Sequence, residues 1–296
     1  MAEPRSVLLI GGTSGMGLAA ALRFAARGDR LLLVARSHAA LSTAAQRCTA
    51  AGADRVETVA ADVAAWPEVE AAVRHALEVY GRIDVTVLAA ATMAYGPIGE
   101  LPVEVFEQVV RTGVLGTGNV ARALLPVLHH QGRGTLIVVN SVLGAITLPN
   151  MGTYAAAKWG QRAIVRTLQQ ELRGMRHVHV CLVSPGAVNT PIYEQAANVL
   201  GRGVRPPAPV REPERVAEVI ERLADRPRRH VSTRVGGLNP VLVLGFRLLG
   251  PLFDRLALPL FRRLATTGEP TATSAGNVLT PRPAGERVHG QWPATR

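Results

Sequence analysis

Three side chains in the middle of the chain have the chemistry needed to move a proton. Tyr154 and Lys158 are four positions apart and therefore share one face of a predicted helix, and Ser141 precedes Tyr154 by thirteen residues. A free tyrosine has a pKa of about 10, so it exchanges protons poorly at neutral pH unless a neighbouring cation stabilises its phenolate. Lys158 is the only lysine in the chain and could supply that charge. The pattern predicts an acid–base centre.

A glycine-rich turn near the start of the chain could bind phosphate. Gly11, Gly15 and Gly17 follow the first apolar run, in the stretch GGTSGMG, and a helix is predicted to start near Leu18. Glycines let the backbone approach a ligand closely, and the first turn of a helix offers unpaired N–H groups and a positive dipole end. The turn therefore predicts a site for the phosphates of a dinucleotide.

Seven short apolar runs, alternating with helical patterns, must position these residues. Such alternation predicts a single α/β domain with a doubly wound, parallel seven-stranded sheet and a C-terminal extension. Ligands of such sheets bind beyond the carboxyl ends of the strands, where both motifs fall. The predicted strands are Val7–Ile10, Leu31–Ala35, Val56–Ala60, Val85–Ala90, Thr135–Asn140, Val178–Ser184 and Val231–Val235.

The glycine spacing and the Ser–Tyr–Lys trio together resemble the short-chain dehydrogenase/reductase family, over roughly residues 5 to 236. The resemblance implies a Rossmann-type fold and an oxidoreductase that interconverts a carbonyl and an alcohol by hydride transfer, with Tyr154 as general acid and base. It implies that Ser141 binds and polarises the substrate carbonyl. It also implies that the Lys158 ammonium holds the nicotinamide ribose hydroxyls.

The end of the second strand bears on the choice of cofactor. An acidic residue there would favour NAD, whereas Arg36 favours the 2′-phosphate of NADP, so NADP(H) is expected in preference to NAD(H). The resemblance assigns Asp62 and Val63 to the adenine and the segment 185–190 to the nicotinamide. A solvated arginine at 36 and a helix-capping aspartate at 62 are the alternatives. The expected cofactor contacts are Gly11, Thr13, Ser14, Gly15, Met16, Gly17, Arg36, Asp62, Val63, Ala90, Tyr154, Lys158, Pro185, Gly186, Val188 and Thr190.

Two departures from the family pattern bear on activity. Residues 88–91, Leu-Ala-Ala-Ala, replace the usual Asn-Asn-Ala-Gly and lose its side-chain amides. Gly113 stands where most members carry an asparagine that supports a helix kink and a water-mediated proton path to the lysine. Glycine permits a kink but cannot bind the water, so slower catalysis is expected. A non-catalytic dinucleotide-binding regulator or scaffold is therefore the alternative function.

The chain divides into a catalytic domain at 1–236, with a substrate lid at about 191–209, an apolar segment at 237–265 and an extended or disordered tail at 266–296. The apolar segment is too interrupted to span a bilayer, which takes about 20 predominantly apolar residues. It could cap a hydrophobic substrate channel, form an oligomer contact or anchor a lipid-interface protein. The cap and the subunit contact are favoured, because prolines and Asp254 interrupt the segment.

The amino-acid composition limits the kinds of partner that are expected. The net charge is +11, but the arginines are spread along the chain rather than clustered with aromatics, so no nucleic-acid binding is expected. Cys48 and Cys181 have no spacing for a disulfide or a metal site, so no metal is expected. No signal peptide is recognised, which favours a cytoplasmic location with peripheral membrane contact left open. The expected partner is a hydrophobic carbonyl or alcohol, and the resemblance implies a homodimer or homotetramer.

Overall fold

The computed structural model describes residues 3–231 and 237–293 together with residue 295. Nine helices and eleven strands are found in these ranges. The strands are β1 (Ser6–Ile10), β2 (Arg30–Ala35), β3 (Arg55–Ala60), β4 (Val85–Leu88), β5 (Ala94–Tyr95), β6 (Gly134–Val139), β7 (Val178–Val183), β8 (Ala197–Asn198), β9 (Arg202–Val204), β10 (His230–Val231) and β11 (Thr266–Pro270). The helices are α1 (Gly15–Ala25), α2 (His38–Ala50), α3 (Trp66–Tyr80), α4 (Val103–Val110), α5 (Gly116–Gln131), α6 (Gly152–Glu171), α7 (Pro213–Asp225), α8 (Asn239–Leu248) and α9 (Gly250–Leu264).

Seven of these strands form the central sheet, in the order β10-β7-β6-β4-β1-β2-β3, and all of its pairs are parallel. The predicted doubly wound α/β fold is confirmed. The fourth strand ends earlier than predicted, because the amides of Ala89 and Ala90 both donate to the Ile10 carbonyl and the ladder stops there. The predicted seventh strand begins as β10, and its residues 232–236 lie outside the described part of the chain.

Alternate strand residues build two hydrophobic layers. Leu9 and Leu33 pack against α1, α2 and α7, whereas Leu8 and Leu32 pack against α3, α5 and α6. All four leucines are at most 1% exposed. Each buried side chain of this kind contributes about 1.5–3 kcal/mol. β1 lies between β2 and β4 in the sheet. The connections that follow β1 and precede β4 run in opposite directions from it, which leaves a crevice at the carboxyl ends of these strands.

Helices α8 and α9 form a hairpin at the carboxyl edge of the sheet, beside this crevice. Phe246 and Phe253 meet edge to face with ring centroids 5.3 Å apart, and Phe261 lies 6.3 Å from the Tyr95 ring. The outer face of the hairpin is apolar and exposed. Its exposed side chains include Val241, Leu242, Leu244, Leu248, Leu249, Leu252, Leu256, Leu260 and Leu264. Within the described ranges, no helix combines the length and the apolar character needed to cross a membrane.

Residues 266–293, here called the C-terminal strap, lie extended across the carboxyl edge of the sheet. The strap starts as β11, which pairs antiparallel with β9 inside the segment predicted as a lid. It then hydrogen-bonds Asn198 through Ser274 in both directions, and buries Val278 and Val288. At its far end, His289 Nε2 lies 2.8 Å from Glu214 Oε1 on α7. The strap composition is compatible with disorder, but these contacts hold it against the loops that follow the strands.

Candidate active site

Two adjoining cavities open at the carboxyl edge of the sheet. The crevice, about 150 Å³, runs from the end of β2 along the glycine turn to Lys158, and the apolar pocket, about 90 Å³, lies beyond Tyr154. The structure brings every predicted site position to one of them. The crevice is lined by Gly11, Thr13, Ser14, Gly15, Met16, Gly17, Arg36, Asp62, Val63, Ala90, Tyr154, Lys158 and Thr190, and the pocket by Ser141, Pro185, Gly186 and Val188 as well.

The glycine turn is packed so closely that side chains do not fit. Gly11 has φ +86°, and a Cβ on it would lie 2.4 Å from the Ala90 nitrogen. A Cβ on Gly17 would lie 2.0 Å from the Gly11 carbonyl oxygen. The start of α1 is thereby presented to the crevice, and the amides of Met16 and Gly17 have no hydrogen-bond partner in the described structure. Unpaired amides at a helix N-terminus bind phosphate.

Arg36 lies at the end of the crevice nearest β2, the proposed adenosine end, and is not simply solvated. Its Nη1 donates to the Val278 carbonyl at 2.9 Å and its Nη2 to the Asn277 carbonyl at 2.6 Å, both on the strap. Asp62 is also held in place: its Oδ1 accepts from the Ala64 amide at 2.9 Å and its Oδ2 from Gln108 at 3.1 Å. The Asp62 contact to Ala64 is a local turn in the loop before α3, whose N-cap is Ala65 and which has no side-chain cap, so the helix-capping alternative for Asp62 is not observed.

Tyr154 lies in the first turn of α6, 8% exposed, with its hydroxyl in hydrogen-bond contact with Ser141. Burial raises the pKa of Tyr154 well above its ordinary value, and the Ser141 hydrogen bond opposes that rise. The sequence predicted that Lys158 would lower this pKa. In the structure burial is the largest influence on the pKa of Tyr154, and Lys158 Nζ stands 5.6 Å from the Tyr154 ring centroid.

Lys158 is almost completely buried, at 2% exposed. Its Nζ donates to the Val139 carbonyl at 3.0 Å and to Gln161 Oε1 at 3.1 Å. Burial lowers the pKa of Lys158 from 10.5 to about 7. Near neutral pH this side chain can therefore gain or lose a proton, which an ordinary lysine does not do.

A polar network behind Lys158 was missed by the sequence reasoning. Gln161 accepts from Lys158 and from Asn140 Nδ2, and its own Nε2 donates to Thr117 Oγ1 at 3.0 Å. The Thr117 hydroxyl then donates to the Gly113 carbonyl at 2.7 Å. One signal was available: Gln161 follows Lys158 by three positions and shares its helix face. Thr117 carried no such signal.

Gly113 has a packing reason to be glycine. It lies in the π-helical turn Arg111–Leu115 that joins α4 to α5, and a Cβ on it would lie 2.7 Å from the Ala157 Cβ of α6. An asparagine could not occupy this position without separating the helices. The helix departs from regular α-helical geometry here through this π-helical turn, and the Gly113 carbonyl reaches the Lys158 network through Thr117 and Gln161.

The apolar pocket includes Ser141 in a lining that is mostly hydrocarbon. It is lined by side chains from the loops after β4, β6 and β7 and by Ala265 at the end of α9. Its apolar lining residues include Met93, Tyr95, Leu143, Leu148, Met151, Ile192, Tyr193 and Pro207. The arrangement suits a substrate with an apolar body and one polar group placed at Tyr154.

The crevice fits a dinucleotide. Besides the open amides of Met16 and Gly17, the buried Thr92 hydroxyl lines the crevice without a hydrogen-bond partner among the described residues. Arg36 stands at one end, and Tyr154 and Lys158 stand at the other. The donor set therefore suits phosphates in the middle, a ribose phosphate at the Arg36 end and ribose hydroxyls at the Lys158 end.

Comparisons with known proteins identify the class. The short chain dehydrogenase family model matches residues 5–199. Dehydrogenase/reductase SDR family member 7B of Xenopus tropicalis is 30% identical over 254 residues, covering 83% of this chain and 81% of the relative. The 2-(R)-hydroxypropyl-CoM dehydrogenase of Xanthobacter autotrophicus is 34% identical over 193 residues, covering 64% of this chain and 77% of that protein.

A solved structure agrees. The alcohol dehydrogenase of the archaeon Thermococcus sibiricus, complexed with 5-hydroxy-NADP, matches with a TM-score of 0.68 and 28% identity, covering 78% of this chain and 96% of that chain. The fold and these matches define an oxidoreductase with a nicotinamide dinucleotide-binding fold. The chain belongs to the short-chain dehydrogenase/reductase family.

Proposed function

We propose that the chain is an NADP(H)-dependent oxidoreductase that interconverts a carbonyl and an alcohol on a hydrophobic substrate. The observation that carries this proposal is the position of Tyr154, which lines both the crevice and the apolar pocket. A carbonyl in the pocket would meet a proton donor where the two cavities join. The Ser141 hydroxyl stands on the pocket side of that junction.

The side chains have separate roles in this mechanism. Bound NADPH would supply a hydride to the carbonyl carbon. The Ser141 hydroxyl donates a hydrogen bond to the carbonyl oxygen and holds it beside Tyr154. The Tyr154 phenol gives its proton to that oxygen as negative charge develops there. The Lys158 ammonium, held by Gln161 and the Val139 carbonyl, stabilises the phenolate that remains.

The protonation state of Tyr154 supports the reductive direction. Burial raises the pKa of Tyr154 above its ordinary value, so at neutral pH the side chain is a phenol. A phenol can donate a proton to an alkoxide, whereas alcohol oxidation needs the phenolate. Alcohol oxidation should therefore accelerate as the pH rises, while carbonyl reduction should already run at neutral pH.

Arg36 supports NADP(H) as the cofactor. It is the first charged residue after β2, and no acidic side chain follows it in that loop. The similar archaeal alcohol dehydrogenase was solved with a derivative of NADP. A guanidinium paired with a 2′-phosphate is a charge-assisted contact that NADH cannot make.

The test is NADPH oxidation against ketones, aldehydes and quinones of increasing apolar size, with Ser141→Ala as the matched variant. We expect turnover that improves with apolar bulk and falls in Ser141→Ala, while NADPH affinity is retained. Tight NADPH binding without turnover of any class would favour the regulator or scaffold instead. The packing reason for Gly113 and the intact Lys158 network support the enzyme.

The α8–α9 hairpin supports a second, accompanying function as a lipid-binding surface. Leu252, Leu256 and Leu260 form an exposed stripe at four-residue spacing. Pro240 and Pro251 lie in the first turns of their helices, where proline is tolerated. Pro259 lies inside α9, and the helix continues past it to Leu264. Contiguous exposed apolar side chains commonly mark a surface that contacts a partner.

The charge of the hairpin favours an anionic bilayer surface as the partner. Arg247, Arg255, Arg262 and Arg263 are exposed on the hairpin against one acid, Asp254. Anionic headgroups would neutralise these arginines, whereas a second copy of the hairpin would bring like charges together. The inner side of the hairpin reaches the apolar pocket through Ala265, so one element could both cap the pocket and face lipid.

Sedimentation with phosphatidylserine vesicles tests this surface. We expect binding that salt releases and that the paired substitution Leu256→Gln and Leu260→Gln abolishes. Leu279→Gln, an exposed leucine on the strap, is the control and should still bind. Self-association that the paired substitution removes, without vesicle binding, would assign the face to a subunit contact.

A further inference from the structure

The C-terminal strap contacts the cofactor crevice at its adenosine end. Both terminal nitrogens of Arg36 donate to strap carbonyls. The Arg287 carbonyl accepts from the Gly15 amide at 2.9 Å and from the Ser14 hydroxyl at 3.2 Å. The strap therefore uses donors that a nucleotide would otherwise find free, while it leaves the next two amides of α1 open.

Glu286 brings a carboxylate to the same place. It lines the crevice together with Asn277, and it lies next to the Thr13 side chain and within electrostatic range of Arg36. Its Oε2 is buried and has no hydrogen-bond partner in the described ranges. A carboxylate here repels a 2′-phosphate but can accept a hydrogen bond from a 2′-hydroxyl.

The strap is attached by contacts away from the crevice as well. Arg287 pairs with Glu194, whose other oxygen accepts from the Gln291 amide at 2.9 Å. The Trp292 amide donates to Asn189 Oδ1 at 3.1 Å. With the strap docked, the crevice measures about 150 Å³, below the ~300–1,000 Å³ of typical ligand pockets. The docked strap thus forms part of the wall of a small cavity, through Asn277 and Glu286.

We propose that the C-terminal strap is a movable wall of the cofactor site, in which Glu286 and the carbonyls of Asn277 and Val278 compete with the 2′-phosphate for Arg36. The strap then weakens the NADP preference that Arg36 alone would set, and its release limits the rate of cofactor entry. This inference rests on the proposed dinucleotide function.

Direct titration of the full-length protein with NADPH and with NADH tests the role of Glu286. Glu286→Gln should tighten NADPH binding about three- to tenfold, because it removes a charge near the phosphate. NADH affinity should stay within about twofold, or weaken if the carboxylate holds the 2′-hydroxyl. Glu269→Gln, an exposed strap carboxylate on β11, is the control and should change neither affinity.

Stopped-flow binding and hydrogen exchange test the movement. Glu194→Gln loosens the strap without touching the crevice, so NADPH should associate faster with this variant. Amides at 276–292 should exchange faster in the variant than in the wild type. If both the NADPH association rate and the amide exchange rate are unchanged in Glu194→Gln, the proposal that the strap is a movable wall is wrong.

The two proposals fail differently. If Glu286→Gln shifts NADPH and NADH affinity equally, or shifts neither, the strap role is wrong while the dinucleotide function stands. If neither cofactor binds the wild type or the variants, both proposals are wrong.

Discussion

The two ends of the crevice each present a cation, and the two cations are held in different ways. Lys158 is buried among groups from β6 and its own helix, with Gln161 only three residues away. Arg36 lies at the rim and is held by carbonyls more than 240 residues away in sequence. The proposed catalytic end is thus built from residues of the family domain, whereas the proposed adenosine end is completed by the strap. The first can be rigid while the second opens.

The largest effect expected at the catalytic end belongs to Tyr154→Phe. Removing the hydroxyl removes the proton donor and should lower kcat about 100- to 10,000-fold. NADPH affinity should stay within a few-fold, because the proposed cofactor anchor is Lys158. Steady-state kinetics with parallel NADPH titration measure both quantities. Retained turnover would remove Tyr154 from the mechanism.

The placement of the proposed catalytic residues was largely predictable from the sequence, because they are close in the chain. Tyr154 and Lys158 share a helix turn, and the glycine turn directly follows a strand, so spacing alone brings them to one edge of the sheet. Burial was not predictable in the same way. The sequence shows that a lysine is near Tyr154 but not how far both are desolvated, and desolvation dominates the pKa of each.

The strap was not predictable for a different reason. Its composition, rich in Thr, Pro, Gly and Arg, resembles that of a disordered segment. Most of what holds it is main-chain hydrogen bonding to distant loops, which leaves no periodic pattern. Val278 and Val288 are its buried apolar anchors, and two isolated valines do not stand out in a sequence.

Lys158→Met should stabilise the protein in a pH-dependent way. The pKa of Lys158 falls from 10.5 to about 7 on burial, so between these values the unfolded chain binds more protons than the native state. Wild-type stability therefore rises with pH across that window, and the full cost of burial applies below pH 7.

The gain from methionine should be about 2 kcal/mol at low pH, after allowance for the lost hydrogen bonds, and should shrink toward pH 10. Urea unfolding of both proteins across this range measures it. Arg74→Met, an exposed cation on α3, is the control and should show no such trend. A gain that is the same at every pH would mean that burial does not lower the pKa of Lys158.

Gln161→Leu tests whether the hydrogen bonds of Gln161 hold Lys158 in position for the proposed catalysis. The substitution keeps the approximate size but removes the acceptor from Lys158 and the donor to Thr117. We expect kcat to fall about tenfold, corresponding to one misdirected buried hydrogen bond. The pH profile of kcat should also shift, which a packing defect alone would not cause. Gln161→Glu restores the acceptor and should bring the Lys158 pKa upward. An unchanged profile in both variants would leave Gln161 as a packing residue.

Thr92→Val should have the smallest effect, and it separates cofactor binding from folding. Thr92 is 5% exposed and lines the crevice, and its hydroxyl has no hydrogen-bond partner within the described structure. Replacing an unsatisfied hydroxyl by a methyl removes a desolvation cost, so the stability of the free protein should change by less than about 1 kcal/mol and in the favourable direction.

Dinucleotide affinity should nevertheless fall several-fold, because the hydroxyl is placed to hydrogen-bond a bound nucleotide. Thermal unfolding with and without NADPH measures both effects in one experiment. A loss of stability in the free protein would mean that the hydroxyl has a structural partner, and an unchanged shift on adding NADPH would mean that the nucleotide does not use it.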